Sequence, residues 1–114
     1  MTKTINIKGK EYVPVSERVK ELHEGLDPND ANIAITTDII SNTEKMVVVK
    51  ATVVTMTGTF TGHSQAVWGE GMMGKVALEV AETSAIGRAL GFAGFGIVEG
   101  IASADEITKN NFEI

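Results

Sequence analysis

The sequence predicts a small α+β domain, mostly β, in which an antiparallel sheet lies next to one long helix. The length of 114 residues suits a single domain spanning the chain. Residues 33–55 include 14 β-branched residues out of 23, a composition typical of strands. Alanines recur every four residues from Ala77 to Ala93, which predicts a helix with one narrow, small-residue face.

The N-terminal quarter predicts a hairpin followed by a helix. Residues 4–8 and 11–13 are the two predicted strands, and Gly9 lies in the tight turn between them. Ser16 is the predicted N-cap of a helix that ends at Gly25.

Three longer strands and a second helix follow. The strands are predicted at residues 32–40, 45–56 and 59–68, and the helix begins at Lys75 and ends near Phe92. A last short strand is predicted at residues 95–98. Residues 103–106 form a capping box that opens a short terminal helix.

Composition excludes several classes of protein and site. The 43% hydrophobic and 22% charged residues exclude wholesale disorder, and no apolar run is long enough for a membrane helix. The chain has no cysteine, which excludes disulfides and thiolate metal sites, and its two histidines are 40 residues apart. We therefore predict neither metal nor cofactor. The N-terminus has no apolar signal region, so an intracellular, cytoplasmic protein is expected.

The net charge of −5 is unevenly distributed. Residues 1–57 carry seven basic and eight acidic groups, whereas residues 58–114 carry three and seven. A short acidic segment begins at about residue 99. The first half could therefore present a basic stripe to nucleic acid, while the acidic end could repel phosphate or recruit partner proteins.

A glycine-rich loop precedes the long helix. Residues 69–75, with the sequence GEGMMGK, fit the first part of a P-loop, but the next residue is Val76 instead of the serine or threonine that binds magnesium. ATP binding is therefore not predicted. The loop is either a flexible connection or a phosphate contact without catalysis. His63 and Ser64 point to opposite faces of a strand and no paired carboxylates stand out, so no enzyme is predicted.

The alanine stripe has two interpretations. Its small side chains allow close approach either to another element of the same chain or to a second subunit. The candidate oligomer-interface residues are Ala77, Ala81, Ala85 and Ala89.

Four sequence blocks carry a resemblance to a known family: YVPVSER at residues 12–18, TGH at 61–63, AETSAIGRAL at 81–90 and IASADE at 101–106. In these blocks the chain resembles the single-stranded DNA-binding proteins of lactococcal bacteriophages. The resemblance implies a variant of the OB fold, with a curved antiparallel sheet or a partly open barrel. It also implies binding to single strands with little sequence preference, in phage DNA replication or recombination within the infected bacterial cell.

The candidate nucleic-acid-binding residues are lysines on or beside the strands, aromatic rings that could stack on bases, and two basic side chains of the resembling blocks. They are Lys3, Lys8, Lys10, Lys45, Lys50 and Lys75, then Tyr12, Phe60 and Trp68, and finally His63 and Arg88. The expected partners are single-stranded DNA, further copies of the chain and replication or recombination proteins, with no membrane. The alternative function is a protein-interaction or assembly module built from the Ala/Gly-rich helix and the acidic C-terminus.

Overall fold

A computed structural model describes residues 3–25, 33–69, 73–97 and 100–107. Within them the chain forms an N-terminal hairpin, a helix, a three-stranded sheet and a longer second helix. No helix in these ranges is both long enough and apolar enough to cross a membrane.

In chain order the elements are β1 (Ile5–Ile7), β2 (Lys10–Tyr12), α1 (Val15–Glu24), β3 (Ala34–Asn42), β4 (Met46–Thr55), β5 (Gly58–Val67) and α2 (Ala77–Phe92). A 3₁₀ turn, Met73–Val76, leads into α2, and residues 104–107 form a last helical turn. The predicted α+β class, with an antiparallel sheet and a long helix in the second half, is confirmed.

The main sheet is an antiparallel meander with the strand order β3–β4–β5. β4 and β5 pair without interruption from Met46 opposite Val67 to Thr55 opposite Gly58. A β-bulge interrupts the pairing of β3 with β4 between Ile39 and Ser41. Because side chains alternate along each strand, these registers assign every residue to one of two faces.

One face of the main sheet, which we call the covered face, packs against α2. Its buried residues are mainly small or β-branched: Val47, Val49, Ala51, Val53, Gly62 and Ala66. The alanine stripe lies against them, and Ala77, Ala81, Ala85 and Ala89 each have 0% exposed surface. This burial corrects the candidate oligomer interface, because side chains that are fully covered within one chain offer no surface to a second copy.

Gly62 shows how closely α2 approaches the sheet. A Cβ at this position would lie 2.5 Å from the backbone nitrogen of Ala89 and 2.7 Å from the carbonyl oxygen of Ala85. These are backbone atoms of α2, so they cannot turn aside as a flexible side chain would. Alanines on the helix and glycine on the strand therefore act together to bring the two backbones into contact.

Helix α1 packs on α2 through a buried arginine. The Arg18 side chain is 0% exposed, and its guanidinium donates hydrogen bonds to the carbonyl oxygens of Gly87 (2.7 Å), Ile101 (2.8 Å) and Gly96 (3.3 Å). Burial lowers the pKa of Arg18, while the negative charges of Glu106 and Asp105 oppose that shift. A fork of fixed N–H donors thus joins α1 to the end of α2 and to the segment that follows it.

Residues 101–107, which we call the C-terminal clasp, hold the start of α1. The amide of Ala104 donates to the carbonyl of Val13 (2.9 Å), and the Asp105 carboxylate accepts from the amide of Val15 (2.7 Å). Ser103 caps the last helical turn by accepting from the amide of Glu106 (3.2 Å), so the predicted cap at Ser103 is confirmed, whereas the Glu106 carboxylate binds Arg88. The predicted Ser16 N-cap is wrong: α1 begins at Val15 after Pro14, because Asp105 satisfies its first amide from a distant part of the chain.

The structure decides between two predicted sheet forms and differs from one predicted strand. The described strands form an open three-stranded sheet and a separate hairpin, so of the two sheet forms expected it is the open sheet, and not a barrel, that these residues adopt. Residues 93–96 form turns and Ile97 is not in a strand, and Val98 lies outside the described residues. Gly94 and Gly96, with φ of 99° and 61°, keep this part of the chain out of the extended conformation.

Candidate nucleic-acid interface

The opposite side of the main sheet, which we call the open face, is not packed against either helix. Helix α2 lies on the covered face, α1 packs on α2, and Leu22 of α1 joins the same core as the covered-face residues. The edge-strand residues of the open face are mostly exposed and the central-strand residues are half-buried. Three extended strands therefore present a wide, accessible surface.

Charged and titratable side chains meet in one row of the open face. Asp38 of β3 lies directly opposite Lys50 of β4, and Lys50 lies opposite His63 of β5. Asp38 and His63 are exposed and Lys50 is half-buried. The pairing places Lys50 and His63, two of the predicted binding residues, side by side at the middle of this surface.

The neighbouring row consists of hydroxyl groups. Thr36, Thr52 and Thr61 are consecutive partners across the three strands, and Thr59 and Ser41 extend the same face. Hydroxyls both donate and accept hydrogen bonds, so such a row can serve phosphate oxygens and base edges alike. These residues were not among the predicted contacts, although threonines at alternate strand positions are visible in the sequence.

Charge is divided between the two sides of the molecule. Helices α1 and α2 carry five glutamates, at positions 17, 21, 24, 79 and 82. Their cations are Lys20, the buried Arg18 and Arg88, whose guanidinium pairs with Glu106 at 3.2 Å. On strands β3–β5 the only charged side chains are those of Asp38 and Lys50. A net negative charge can therefore coexist with an open face that does not repel phosphate.

Two other predicted lysines lie in loops at one end of the sheet. Lys45 lies in the β3–β4 turn, and its carbonyl accepts from the amide of Trp68 (2.9 Å) at the end of β5. The amide of Gly69 donates to the carbonyl of Gly74 (3.0 Å), which closes the loop before Lys75. Both lysines are exposed. The middle of the glycine-rich loop, residues 70–72, lies outside the described residues, so its proposed phosphate contact stays a prediction.

Two of the predicted stacking rings are not on the open face. Phe60 is paired with Val53, a covered-face residue, and Trp68 packs against the core. The Trp68 indole Nε1 donates to the Asn42 side-chain oxygen (3.0 Å), which fixes the ring between the ends of β3 and β5. Parity along β5 put both rings on one face, as predicted, but that face is the one beneath α2. The prediction that Phe60 and Trp68 stack on bases from the open face is therefore wrong.

Arg88 takes part in contacts within the chain. Its guanidinium forms the ion pair with Glu106 and lies 5.7 Å from the centre of the Phe92 ring. Its Cβ is one of the atoms nearest to Gly62. These contacts give Arg88 a part in joining α2 to the clasp, and its contact with nucleic acid stays a prediction.

The remaining candidates, Lys3, Lys8, Lys10 and Tyr12, all belong to the N-terminal hairpin. The three lysines are exposed and Tyr12 is half-buried. Within the ranges that the structure describes, no group of three or more His, Cys, Asp or Glu side chains could hold a metal ion. The candidate contacts with a ligand are therefore a sheet face, a loop end and a hairpin.

The chain matches the model of a known protein family. A family model described as Slr1353 N-terminal dsRNA-binding domain-like matches residues 25–93, more than half of the chain. The matched segment includes the whole β3–β4–β5 sheet and α2. No curated protein and no solved structure matches the chain.

Proposed function

The chain belongs to the Slr1353 N-terminal dsRNA-binding domain-like family, a type of nucleic-acid-binding domain, and from that premise we propose that it binds single-stranded DNA without catalysis. The observation that carries the proposal is the open face, whose extended strands bear lysine, histidine and a row of threonines and lie away from both helices.

The chemistry of the open face suits an unpaired strand. Lys50 can contact phosphate, while hydroxyls can bind phosphate or base edges. Val48 and Val54, half-buried on the same face, offer apolar contact to exposed bases. None of these groups selects one base over another as a bidentate pair would, so little sequence preference is expected.

The distribution of charge supports a single strand over a duplex. Domains that bind double-stranded RNA recognise its shape and contact phosphates on either side of a groove. In this chain α1 carries three glutamates and one exposed lysine, so its outer surface repels phosphate. A duplex lying along the helical side would meet this acidic surface, whereas a flexible strand can follow the open face alone.

The biological setting that we propose is phage DNA replication or recombination in the cytoplasm of an infected bacterium. It is supported by the four sequence blocks that resemble phage single-stranded DNA-binding proteins. Three of these blocks include Arg18, Gly87, Ser103 and Asp105, the residues that fasten α1 to α2 and to the clasp. The resembling blocks therefore include residues that hold together the helices and the clasp on the covered side of the sheet.

The test is fluorescence anisotropy with a labelled oligo-dT, against duplex DNA and duplex RNA of equal length. We expect tighter binding to the single strand, with log affinity falling by about 0.7 per log unit of salt for each phosphate contacted. A double variant, Lys50→Ala with His63→Ala, should weaken binding about tenfold, since two contacts of the central row are lost.

Lys20→Ala is the matched control, because Lys20 is an exposed lysine on α1 that pairs with Glu24 at 3.9 Å on the opposite side of the molecule. It should bind like the parent. Preference for duplex RNA, or equal loss of affinity in the control and the double variant, would contradict the proposed site.

A further inference from the structure

The N-terminal hairpin lies outside the segment that the family model matches. Residues 3–12 precede that segment, and β1 and β2 form a two-stranded sheet of their own. The hairpin is attached at its base, where the carbonyl of the buried Val13 accepts from the amide of Ala104 in the clasp. It therefore has a fixed root and a surface that the core does not use.

The tip of the hairpin holds one lysine in a defined position. Lys8 and Gly9 have φ of 52° and 86°, the pattern of a two-residue turn that matches the twist of paired strands. The Asn6 side-chain oxygen accepts from the amide of Gly9 (3.2 Å) and stabilises that turn. Lys8 is exposed at its end.

The two faces of the hairpin differ in charge. Register places Tyr12 opposite Ile5 and Lys10 opposite Ile7, so these four residues share one face. Asn6 and Glu11 pair on the other face.

The single carboxylate of the hairpin, that of Glu11, accepts hydrogen bonds from its neighbours. Hydrogen bonds from the Thr4 hydroxyl and the Asn6 amide to the Glu11 carboxylate lower the pKa of Glu11. The negative charge is thus held on the face that points away from Lys10 and Tyr12. An anion that approaches the face of Lys10 and Tyr12 meets one cation and an aromatic ring, and the exposed Lys8 lies at the adjacent tip.

We propose that the hairpin is a second nucleic-acid contact, in which Lys10 on this face, Lys8 at the tip and the exposed Lys3 before β1 bind phosphates and Tyr12 stacks on a base. The inference rests on the proposed function and extends it. It supplies what the open face lacks, because the rings of Phe60 and Trp68 lie on the covered side. Lysines beside an aromatic ring are the combination that holds a single strand, through backbone charge and base stacking together.

The experiment compares the parent with a triple variant, Lys3→Gln, Lys8→Gln and Lys10→Gln, and with Tyr12→Leu. All are titrated with labelled oligo-dT at salt concentrations from about 50 to 200 mM. The triple variant should lower the slope of log affinity against log salt by about 2, since each phosphate contributes about 0.7. Tyr12→Leu should weaken binding about tenfold and leave the salt slope unchanged, because it removes a stacking ring and no charge.

Lys20→Gln is the control for general loss of positive charge, and thermal unfolding by circular dichroism checks that each variant folds. Unchanged affinity and slope in the triple variant, while Lys50→Ala with His63→Ala still weakens binding, would overturn the hairpin contact and leave the proposed function intact. A parent that does not bind single-stranded DNA would overturn both. A triple variant that keeps its DNA affinity but loses self-association would assign the lysines to the acidic surface of another copy, and would also overturn the inference.

Discussion

The covered face and the open face of the main sheet are made from alternate residues of the same three strands, yet they differ in almost every property. On β4, Val47 and Val53 of the covered face are 0% exposed, whereas Lys50 and Thr52 of the open face are half-buried. The difference arises from the helices, which pack on one side only. Stability should therefore depend on the covered side, and ligand binding on the open side.

The largest expected effect is at Arg18, where α1 packs on α2 on the covered side of the sheet. Arg18→Ala should lower the free energy of unfolding by about 4 kcal/mol, because it removes a buried charged donor from three carbonyls and leaves a cavity. Urea denaturation measures the change. Arg18→Lys should also be strongly destabilised, since an ammonium cannot reach three carbonyls in the same fork, whereas Lys20→Ala should change stability by less than about 0.5 kcal/mol. A stable Arg18→Ala protein would contradict the role of Arg18 in holding α1 against α2.

A smaller but still large effect is expected at Gly62. Gly62→Ala should cost about 3 kcal/mol, because its Cβ would lie 2.5 Å from the Ala89 nitrogen and force α2 away from the sheet. The adjacent Thr61→Ala, on the open face, is the matched control and should cost no more than about 0.5 kcal/mol. Thermal unfolding of the two variants compares the faces directly. If both variants lost the same free energy of unfolding, the open face would have to be packed in solution as well.

The smallest effect on stability is expected at the outer edge of β3. Ile39 and Ile40 are each 56% exposed beside the β-bulge, and with the alanine stripe buried this edge is the surface that we propose for contact between copies. Ile40→Thr keeps a β-branched side chain and should change the free energy of unfolding by less than about 0.5 kcal/mol. Light scattering should show an oligomer for the parent and a lower mass for the variant. A monomeric parent at tens of micromolar would contradict self-association.

Much of the fold could be predicted from local sequence signals. The three long strands lie within a few residues of their predicted positions, because β-branched residues and turn residues act over short distances. The hairpin, the second helix and the cap at Ser103 follow in the same way. The α1 start was misplaced because the residue that caps it, Asp105, is 90 positions away in the sequence.

The candidate site was predicted less well. Lysines and rings were chosen because of their type and their position on strands, and that choice included Lys50 and His63, which do meet on the open face. It also included Phe60 and Trp68, whose shared face was readable although its burial was not. Periodicity divides a strand into two sets of residues, but which set faces solvent depends on where a helix comes to rest.

The sequence by itself determined the class of fold, the alternation of the strands, the close-packing alanine stripe and the uneven charge, because each depends on residue type and spacing alone. Only the tertiary structure decided that the stripe is buried within one chain, that Arg18 is an internal joint and that acidic helices and an open sheet lie on opposite sides. The physical reason is that contacts between distant segments fix which face is desolvated, and exposure then decides whether a side chain stabilises the fold or is available to a ligand.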